Sequence, residues 1–514
     1  MVRKEKQRRA VRGGIWWLGA SGAAALCLML AAVGQAQAPA AKFKEMKVNP
    51  PDNPRMRNWV GATHAPGAAA KQMLQGNIPF VVADFDSFFN ELLFPQFTLP
   101  ENITYTPADP KDLQAQKWGG SLLPLCRDEF MKQFIGQGHE KVAFDRLNQL
   151  TLTAMEEIAL HDYHPLSRYQ AATILSQLYA YSSPPSPSTP LPGALPVLMR
   201  CLDSIDVVQI PALKGILWHV KNGELEATQQ QAILAAMLKI ASQKTPPEGR
   251  TPDGHDWIRR QAIEVLAALG TPGAKAEVLT TLTAILNDNQ SSPRLTCAAA
   301  EALGSIKFRA PESINLSAAA FSIARAALDD TAAELTAADE RQADVPPPTA
   351  GAGAGVGPGQ RLLPGQLPGA APDVAPAPVK QTFFSTRLVK SQLVALEHGL
   401  RGTGKDHGLL NAASGTKDQA FMQSVDEKLT PLIAACDGTV TDYDKLKAEI
   451  VKAGADLESL LAANNSIPGR QPSPIAGKVS PFGGAAGRGA AGKGSGGAGA
   501  DAANPFDETK PAGK

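Results

Sequence analysis

The sequence predicts an all-α fold made of stacked helical hairpins. Four twelve-residue segments align without gaps, and each has mainly apolar residues three, four, seven and ten positions after its head. This spacing forms one face of an α-helix. Short turns rich in Pro, Gly, Asp or Asn separate the segments from other helix-like runs, so helix and turn alternate along the chain. The four heads are Arg168, Gln209, Arg259 and Thr296.

The other helix-like runs supply the partner helices of these hairpins. Four of them precede an aligned segment, and the fifth follows the last one. The third position after each head is alanine, and a small residue there lets the start of the helix lie close to a neighbour. The runs are residues 140–160, 193–202, 224–242, 272–286 and 311–338.

The repeated pattern is Asp, several residues, apolar-Arg, x-x-Ala-apolar, x-x-Leu and x-x-Leu-Gly. It resembles the HEAT repeat, whose helix pairs stack into an α-solenoid. The resemblance covers residues 140–338, and we expect the repeat region to occupy residues 126–338. Gln209 and Thr296 depart from the arginine of the pattern, and His219 departs from an apolar position. HEAT arrays serve many partners, so the resemblance implies a fold and a scaffold role rather than a reaction.

The resemblance also implies a structural role for the polar residues of each turn. In HEAT repeats, the turn aspartate and the arginine that heads the second helix bond between neighbouring repeats. The corresponding ladder residues here are Asp162, Arg168, Asp203, Gln209, Asp253, Arg259, Asp288 and Arg294. The last pair is two residues out of step, because the apolar register of that segment starts at Thr296, so two alignments stay open there.

The first 38 residues have the pattern of an export signal. Six Lys and Arg residues precede an uncharged stretch from 15 to 33, and small residues then fit cleavage after Ala36 or Ala38. The alternative is an uncleaved anchor, because about 20 apolar residues span a bilayer. We therefore expect export to the bacterial periplasm or cell envelope, with a tether to the inner membrane through residues 15–33 as the alternative.

Net charge and cysteine spacing exclude some classes of function. Residues 1–38 contain six Lys and Arg and one Glu, so the rest of the chain has 44 basic and 48 acidic residues. This balance gives no general attraction for nucleic acid. The remaining cysteines lie far apart in helical apolar stripes and lack the spacing of zinc or redox sites, so we expect buried thiols, with disulfides as the alternative. They are Cys126, Cys201, Cys297 and Cys436.

Two short motifs come close to ligand sites, and we predict no cofactor or metal from either. Gly399, Gly404 and Lys405 match G-x-x-x-x-G-K, but an aspartate follows where a phosphate-binding loop has Ser or Thr, so we expect a loop between helices. His161 and His164 are spaced for one metal ion, but no third ligand lies nearby in the sequence.

The region before the repeats, residues 39–125, predicts an irregular N-terminal cap over the first repeat. Within it, Phe80–Phe85 fits a short strand or extended edge, and Ser87 fits the N-cap of a following aromatic helix. Asp84 and Asp86 would share a face of an extended segment, where paired carboxylates can perform acid–base catalysis. Helix capping is the alternative role that we favour for these two aspartates.

Three segments follow the repeats. Residues 339–378 are rich in Pro and Gly and predict a flexible or partly extended linker. Residues 379–463 contain three amphipathic helical patterns, which either close the repeat array or form a small separate bundle. Residues 464–514 have almost no large apolar side chains, so we expect a disordered tail.

These observations favour a non-enzymatic scaffold that binds an as yet unidentified protein partner in the bacterial cell envelope. One alternative is a hydrolase-like enzyme with a site in the N-terminal region, where Asp84 and Asp86 are the candidates. The other is a structural spacer tethered to the membrane through residues 15–33. Neither alternative has a complete motif to support it.

Overall fold

The computed structural model describes residues 42–48, 65–104, 120–137, 140–181, 188–308, 315–343, 384–404, 407–440 and 442–470. Within these ranges the regular elements are helices and there is no strand, so the predicted all-α class is confirmed. Among the same residues, no helix combines the length and the apolar character needed to cross a bilayer. The predicted signal or anchor, residues 1–38, lies outside the described residues.

We number the helices in chain order. The first six are α1 (Ala65–Leu74), α2 (Val82–Ser87), α3 (Pro100–Ile103), α4 (Leu123–Gln133), α5 (Lys141–Leu160) and α6 (Pro165–Leu175). The next six are α7 (Ala194–Cys201), α8 (Asp206–Asn222), α9 (Ala227–Ser242), α10 (Pro252–Leu269), α11 (Glu277–Asn287) and α12 (Pro293–Ser305). The last five are α13 (Leu316–Ala343), α14 (Thr386–Arg401), α15 (Leu409–Ala412), α16 (Gln419–Ala435) and α17 (Tyr443–Ala463).

The chain divides into two compact units. The first unit contains residues 1–188 and 203–211, and the second contains residues 189–202 and 212–514. Helix α8 contributes its first turns to one unit and the remainder to the other. We describe each unit by itself.

The first unit has an aromatic core near its N-terminal end. Helix α2 continues directly into a π-helical segment, Phe88–Leu93, and a 3₁₀ segment, Phe94–Phe97. The ring centroids of Phe85 and Phe89 are 4.8 Å apart, and Phe134, just after α4, packs edge-on against Phe89 at 5.3 Å. These rings are fully buried, so they hold the short helical segments together in place of a regular bundle.

This region corrects two predictions. From Val82 to Phe85 the chain is helical rather than extended, since α2 begins at Val82. Phe85, Phe89 and Leu93, which recur every four residues along α2 and the π-helical segment, are buried. Ser87 does not cap a helix: its φ and ψ of −59° and −46° are helical, and its side chain makes no capping hydrogen bond. The periodicity of the aromatic residues outweighs the strand preference of the valines.

Helices α5 and α6 pack against each other as a hairpin in the first unit. The turn between them ends at His164, whose Nδ1 accepts a hydrogen bond from the backbone N–H of Leu166 and so caps α6. Ala171 and Leu175, which occupy the predicted apolar positions after Arg168, are fully buried. The apolar register predicted for this segment is therefore present in the structure.

The second unit contains three consecutive helical hairpins, α9–α10, α11–α12 and α13–α14. Their first helices are neighbours, since α11 packs against both α9 and α13. Their second helices are also neighbours, since α12 packs against both α10 and α14. The segments headed by Arg259 and Thr296 belong to α10 and α12, so these two segments lie side by side.

Helix α10 starts earlier than the alignment indicates. Thr251 is its N-cap and accepts a hydrogen bond from the backbone N–H of Gly254, and Pro252 occupies the first turn. The helix ends at Gly270, whose φ of +63° is the left-handed conformation typical of a glycine C-cap. Arg259 therefore lies two turns inside the helix rather than at its head.

Helices α12 and α14 approach each other through small residues. A Cβ atom on Gly304 would lie 2.1 Å from the carbonyl oxygen of His398, and one on Gly399 would lie 2.8 Å from the carbonyl oxygen of Ala300. Both distances are well below van der Waals contact. The separation between these helices therefore requires glycine at both positions.

The C-terminal helices belong to the second unit. Helices α14, α16 and α17 fall within the predicted segment 379–463, and each packs against α13. This packing favours closure of the array over a separate bundle. Residues 464–470 of the predicted disordered tail are ordered, and Arg470 is buried, because its side chain has specific polar partners. Residues 344–378 of the linker and the tail from 471 onward lie outside the described residues.

Candidate interaction surface

Arg259 is a buried arginine that joins the two helices of its hairpin. Its side chain is 4% exposed, and Nε donates a hydrogen bond to the carbonyl oxygen of Ala241 at 3.0 Å. Ala241 lies in the last turn of α9, where carbonyl groups have no partner within the helix. Asp256 accepts a second, longer hydrogen bond at 3.4 Å. Arg259 thus caps α9 from within α10.

Arg168 has the same arrangement in the first unit. Its Nε donates to the carbonyl oxygen of Ala159 at 3.0 Å, in the last turn of α5, and one Nη donates to Oγ of Ser204. Ser204 follows Asp203 in the next turn of the chain. The two arginines of the repeat pattern therefore share one role, which is to satisfy the C-terminal carbonyls of the preceding helix.

Among the predicted ladder aspartates, Asp288 lies near a ladder arginine. Lys244 Nζ is 2.9 Å from Oδ2 of Asp288. Although partial burial raises the pKa of Asp288, the hydrogen bonds from Lys244 and from Gln290 N–H, together with the charges of Lys244 and Arg259, hold it below its usual value. The charge of Arg259 therefore reaches Asp288, the residue that follows α11.

Asp162 and Asp253 are exposed, as are Asp203 in its turn and Arg294 at the start of α12. Gln209, in contrast, is buried on α8. The contact that Arg168 and Arg259 share is the one to a carbonyl oxygen of the preceding helix.

A groove of about 340 Å³ lies on the second unit, between α10, α12 and the end of α8. Its rim includes both signs of charge, from Lys221 and Arg260 on one hand and Glu264 and Glu301 on the other. Lys221 Nζ lies 3.3 Å from Oε1 of Glu264 across this rim. Four alanines also line the groove: Ala267, Ala268, Ala298 and Ala302.

A second, shallower depression lies on the first unit, with a volume of about 510 Å³. It is lined by residues 76–80, Glu140 and Val142. Val142 in this lining is an exposed large apolar side chain, and Val81 and Val82, which follow the lining residues 76–80 in the chain, are exposed as well.

The candidate acid–base pair does not form a pair. Asp84 and Asp86 are two residues apart on the helix α2, so they point to nearly opposite sides rather than to one face. Both Nε and Nη2 of Arg146 donate hydrogen bonds to Asp86, with Nε at 2.9 Å, and Asp84 is exposed. Asp84 and Asp86 therefore do not form the carboxylate pair that the enzyme hypothesis needs at this place.

The two histidines have separate local roles. His164 caps α6, packs edge-on against Phe43 at 4.9 Å, and has a pKa lowered by burial. His161 Nδ1 lies 2.9 Å from the carbonyl oxygen of Glu157 and 3.0 Å from its carboxylate. No group of three or more His, Cys, Asp or Glu residues in the described chain is placed to hold a metal ion.

The glycine-lysine motif does not form a phosphate loop over its described part. Gly399 lies inside α14, where it allows the close approach to α12, and Gly404 lies in the loop that follows. Lys405 is outside the described residues. The backbone N–H of Thr403 donates to the carbonyl oxygen of Gly304 at 3.1 Å, so this loop is fixed to α12.

The four cysteines expected in the core are buried and form no disulfide, as predicted. Burial raises the pKa of the thiols of Cys126 and Cys297 well above the usual range. Burial also raises the pKa of Cys436 to about 12. Neutral thiols in apolar surroundings are poor nucleophiles, so these cysteines act as small apolar core residues.

The sequence analysis missed a buried ionic cluster on α13. Arg325 makes a bidentate pair with Glu458 of α17, with distances of 2.7 and 3.2 Å. One turn further along α13, Asp329 pairs with Arg470. Glycine and proline next to Arg470 gave this segment the composition of a disordered tail. The one signal in the sequence was the pair of opposite charges, Arg325 and Asp329, four residues apart on a long alanine-rich helix.

Comparison with known proteins gave no relative: no protein-family model, no curated protein and no solved structure matches this chain. Function is therefore argued from the geometry of the two units. The groove on α10 and α12 is lined by charged side chains of both signs and by alanines, and we take it as the candidate interaction surface.

Proposed function

We propose that this protein is a non-enzymatic, HEAT-like α-solenoid scaffold that binds a protein partner in the bacterial cell envelope. The observation that carries the proposal is the neighbour relation within the second unit, where first helices adjoin first helices and second helices adjoin second helices. A solenoid of stacked hairpins requires this relation, and arrays of this kind bind partners along the surface that one row of helices presents.

The arginine caps support the same proposal. Arg168 and Arg259 occupy the same repeat position and each donates to a carbonyl of the preceding helix at 3.0 Å. A shared polar contact at a shared register position is expected of repeats with one common structural plan. The export pattern of residues 1–38 supports the location in the envelope.

We assign the partner to the groove on α10 and α12. Its alanine lining admits the backbone or small side chains of an incoming segment, and its rim offers Arg260 and Lys221 to acidic groups and Glu264 and Glu301 to basic groups. The fitting partner is therefore a segment with alternating charges and small apolar residues, and the mixed rim selects for the correct charge order.

Site-specific photocrosslinking tests this assignment. A photoreactive amino acid replaces Gln261 in the groove, and a matched variant carries it at Gln231, which is exposed on α9. In the source bacterium, we expect one defined protein to be crosslinked from position 261 and not from position 231. The product should disappear when Arg260→Glu and Glu264→Lys reverse the rim charges. Identical products from both positions would contradict the assignment.

A further inference from the structure

The chain returns to the second unit after its last helix. Helix α17 ends at Ala463, and a turn follows in which the N–H of Ile467 donates to the carbonyl oxygen of Asn464 at 3.0 Å. Three residues later the side chain of Arg470 is only 4% exposed. Arginine is rarely buried without partners, so a buried arginine in a Pro-Gly segment indicates a site that receives it.

Arg470 makes three directed polar contacts with α11 and α13. Nε donates to Oδ2 of Asp329 at 3.1 Å, and Nη1 donates to the carbonyl oxygen of Leu286 at 3.2 Å. The backbone N–H donates to Oγ of Ser322 at 3.1 Å. Leu286 lies in the last turn of α11, so the guanidinium also satisfies a helix-terminal carbonyl. Two nitrogens of one planar group thus hold two different helices.

The residue before the arginine is restricted by space. A Cβ atom on Gly469 would lie 2.6 Å from Cδ1 of Phe321 and 3.1 Å from Oγ of Ser322. A larger residue would therefore push the segment away from α13 and separate Arg470 from its partners. The site selects the dipeptide Gly-Arg by shape as well as by charge.

A second acidic side chain, Asp330, lies within electrostatic reach of Arg470. Asp330 follows Asp329 on α13, and its Oδ2 is buried without a hydrogen-bond partner among the described residues. Burial raises the pKa of Asp330 to about 7, while the positive charge of Arg470 opposes this rise. An unpaired buried acceptor is costly, so Asp330 leaves room at this place for one more hydrogen-bond donor.

We propose that α11 and α13 carry a binding site for an extended Gly-Arg peptide, and that the chain's own segment 467–470 occupies this site as a clasp on α17. The segment is joined to α17 by a few residues, so its effective concentration at the site is about millimolar. The clasp is therefore closed in the intact chain, and it ties the last helix to α11 as well as to α13.

Trypsin tests the clasp in the full-length protein, since cleavage after Arg470 requires the segment to leave its site. We expect Asp329→Asn to accelerate cleavage at this bond at least tenfold, as followed by mass spectrometry. The matched control is Asp456→Asn, which removes an exposed carboxylate of α17 and should leave the cleavage rate unchanged. Equal cleavage rates in the wild type and Asp329→Asn would overturn the proposal.

Peptide binding tests the ligand class. A fluorescein-labelled peptide, Ser-Ile-Pro-Gly-Arg-Gln, is titrated with the wild type and with Arg470→Ala, and its anisotropy is recorded. We expect at least tenfold tighter binding to Arg470→Ala, because this variant leaves the site open. Control peptides with Val-Arg or Gly-Lys in place of Gly-Arg should bind at least tenfold more weakly, since the first clashes with Phe321 and the second lacks the two-nitrogen contact.

A folding defect can be separated from loss of the site. If circular dichroism shows that Arg470→Ala is unfolded, Gly469→Val serves as the second open variant, because it expels the segment and keeps all residues of α11 and α13. Equal affinity for the Gly-Arg and Val-Arg peptides in a folded open variant would overturn the proposal. This outcome is independent of the groove on α10 and α12, so the proposed partner binding is tested separately.

Discussion

Arg259 Nε lies 3.0 Å from the carbonyl oxygen of Ala241 and so connects the interior of α10 to the last turn of α9. The same connection exists between Arg168 and Ala159. In both hairpins an arginine, buried at 259 and half-buried at 168, replaces the water or capping residue that a helix C-terminus otherwise needs. The arginine of the repeat pattern is therefore a stabilising element of the hairpin itself.

Removal of the hydrogen bond between Arg259 and Ala241 should reduce the stability of the folded protein. We predict that Arg259→Ala lowers the free energy of unfolding by about 1.5–3 kcal/mol, the range for hydrogen bonds to charged groups, because the Ala241 carbonyl loses its partner. The control is the neighbouring residue, Arg260→Ala, which should change it by less than about 0.5 kcal/mol. Urea denaturation of both variants measures the difference, and equal effects would show that Arg259 is not a cap.

Leu266 tests the apolar register of the repeats. It is fully buried in α10, so Leu266→Ala should lower the free energy of unfolding by about 2–5 kcal/mol through loss of contacts and formation of a cavity. Leu388→Ala on α14 removes the same atoms from a side chain that is 45% exposed, and should cost less than about 1 kcal/mol. Similar costs at the two positions would contradict the register.

Gly304 tests the close contact between α12 and α14. Alanine is a better helix former than glycine by about 1 kcal/mol, so intrinsic propensity predicts that Gly304→Ala is stabilising. The structure predicts the opposite sign, because the added Cβ would lie 2.1 Å from the carbonyl oxygen of His398. Thermal unfolding should show a lower Tm for the variant. A higher Tm would mean that the two helices are further apart than described.

Asp330 gives a pH dependence with a defined sign. Its pKa is raised by burial from 3.8 to about 7 in the folded chain, so the folded state binds the proton more tightly than the unfolded state. This contribution to stability is full below about pH 3.8 and is lost as the pH rises through 7. Asp330→Asn removes it, so the Tm difference, variant minus wild type, should increase between pH 5 and pH 8.

The Tm of the variant must be compared with that of the wild type at each pH, because other groups also titrate and change the stability of both proteins. Burial lowers the pKa of His219 to about 4, and this group destabilises the fold as the pH falls below 6.5 in both proteins. The charged groups that shift the pKa of Asp330 are Arg470, which lowers it, and Asp329, which raises it. A Tm difference that stays constant from pH 5 to pH 8 would show that Asp330 does not titrate in this range.

The sequence predicted the helices well, since the periodic burial of residues such as Ala262 and Leu266 is a local property of the chain. It failed where contacts between distant residues decide the structure. The valines before Phe85 favoured a strand until the burial of the following aromatics was known. Arg470 had the composition of a tail, and its partners Asp329 and Leu286 lie more than a hundred residues earlier.

The sequence identified which polar residues at the turns have structural roles, but it predicted their bonding partners only in part. Arg259 was placed in a ladder by resemblance, whereas its main acceptor is a backbone carbonyl, which has no signature in the sequence. The groove residues Arg260 and Glu264 appeared as an ordinary solvated helix face. Their position beside α12 depends on how the hairpins pack, and helix pattern alone does not determine that packing.

Hydrogen exchange in the Arg259→Ala variant tests the central claim, that each hairpin is stabilised mainly by its neighbours, most directly. The stacked arrangement predicts that amide protection, measured by mass spectrometry, falls most in α9 and α10, less in α11 and α12, and not measurably in α16 and α17. A uniform loss of protection over all helices of the second unit would contradict the claim, because the unit would then unfold as one body without repeat structure.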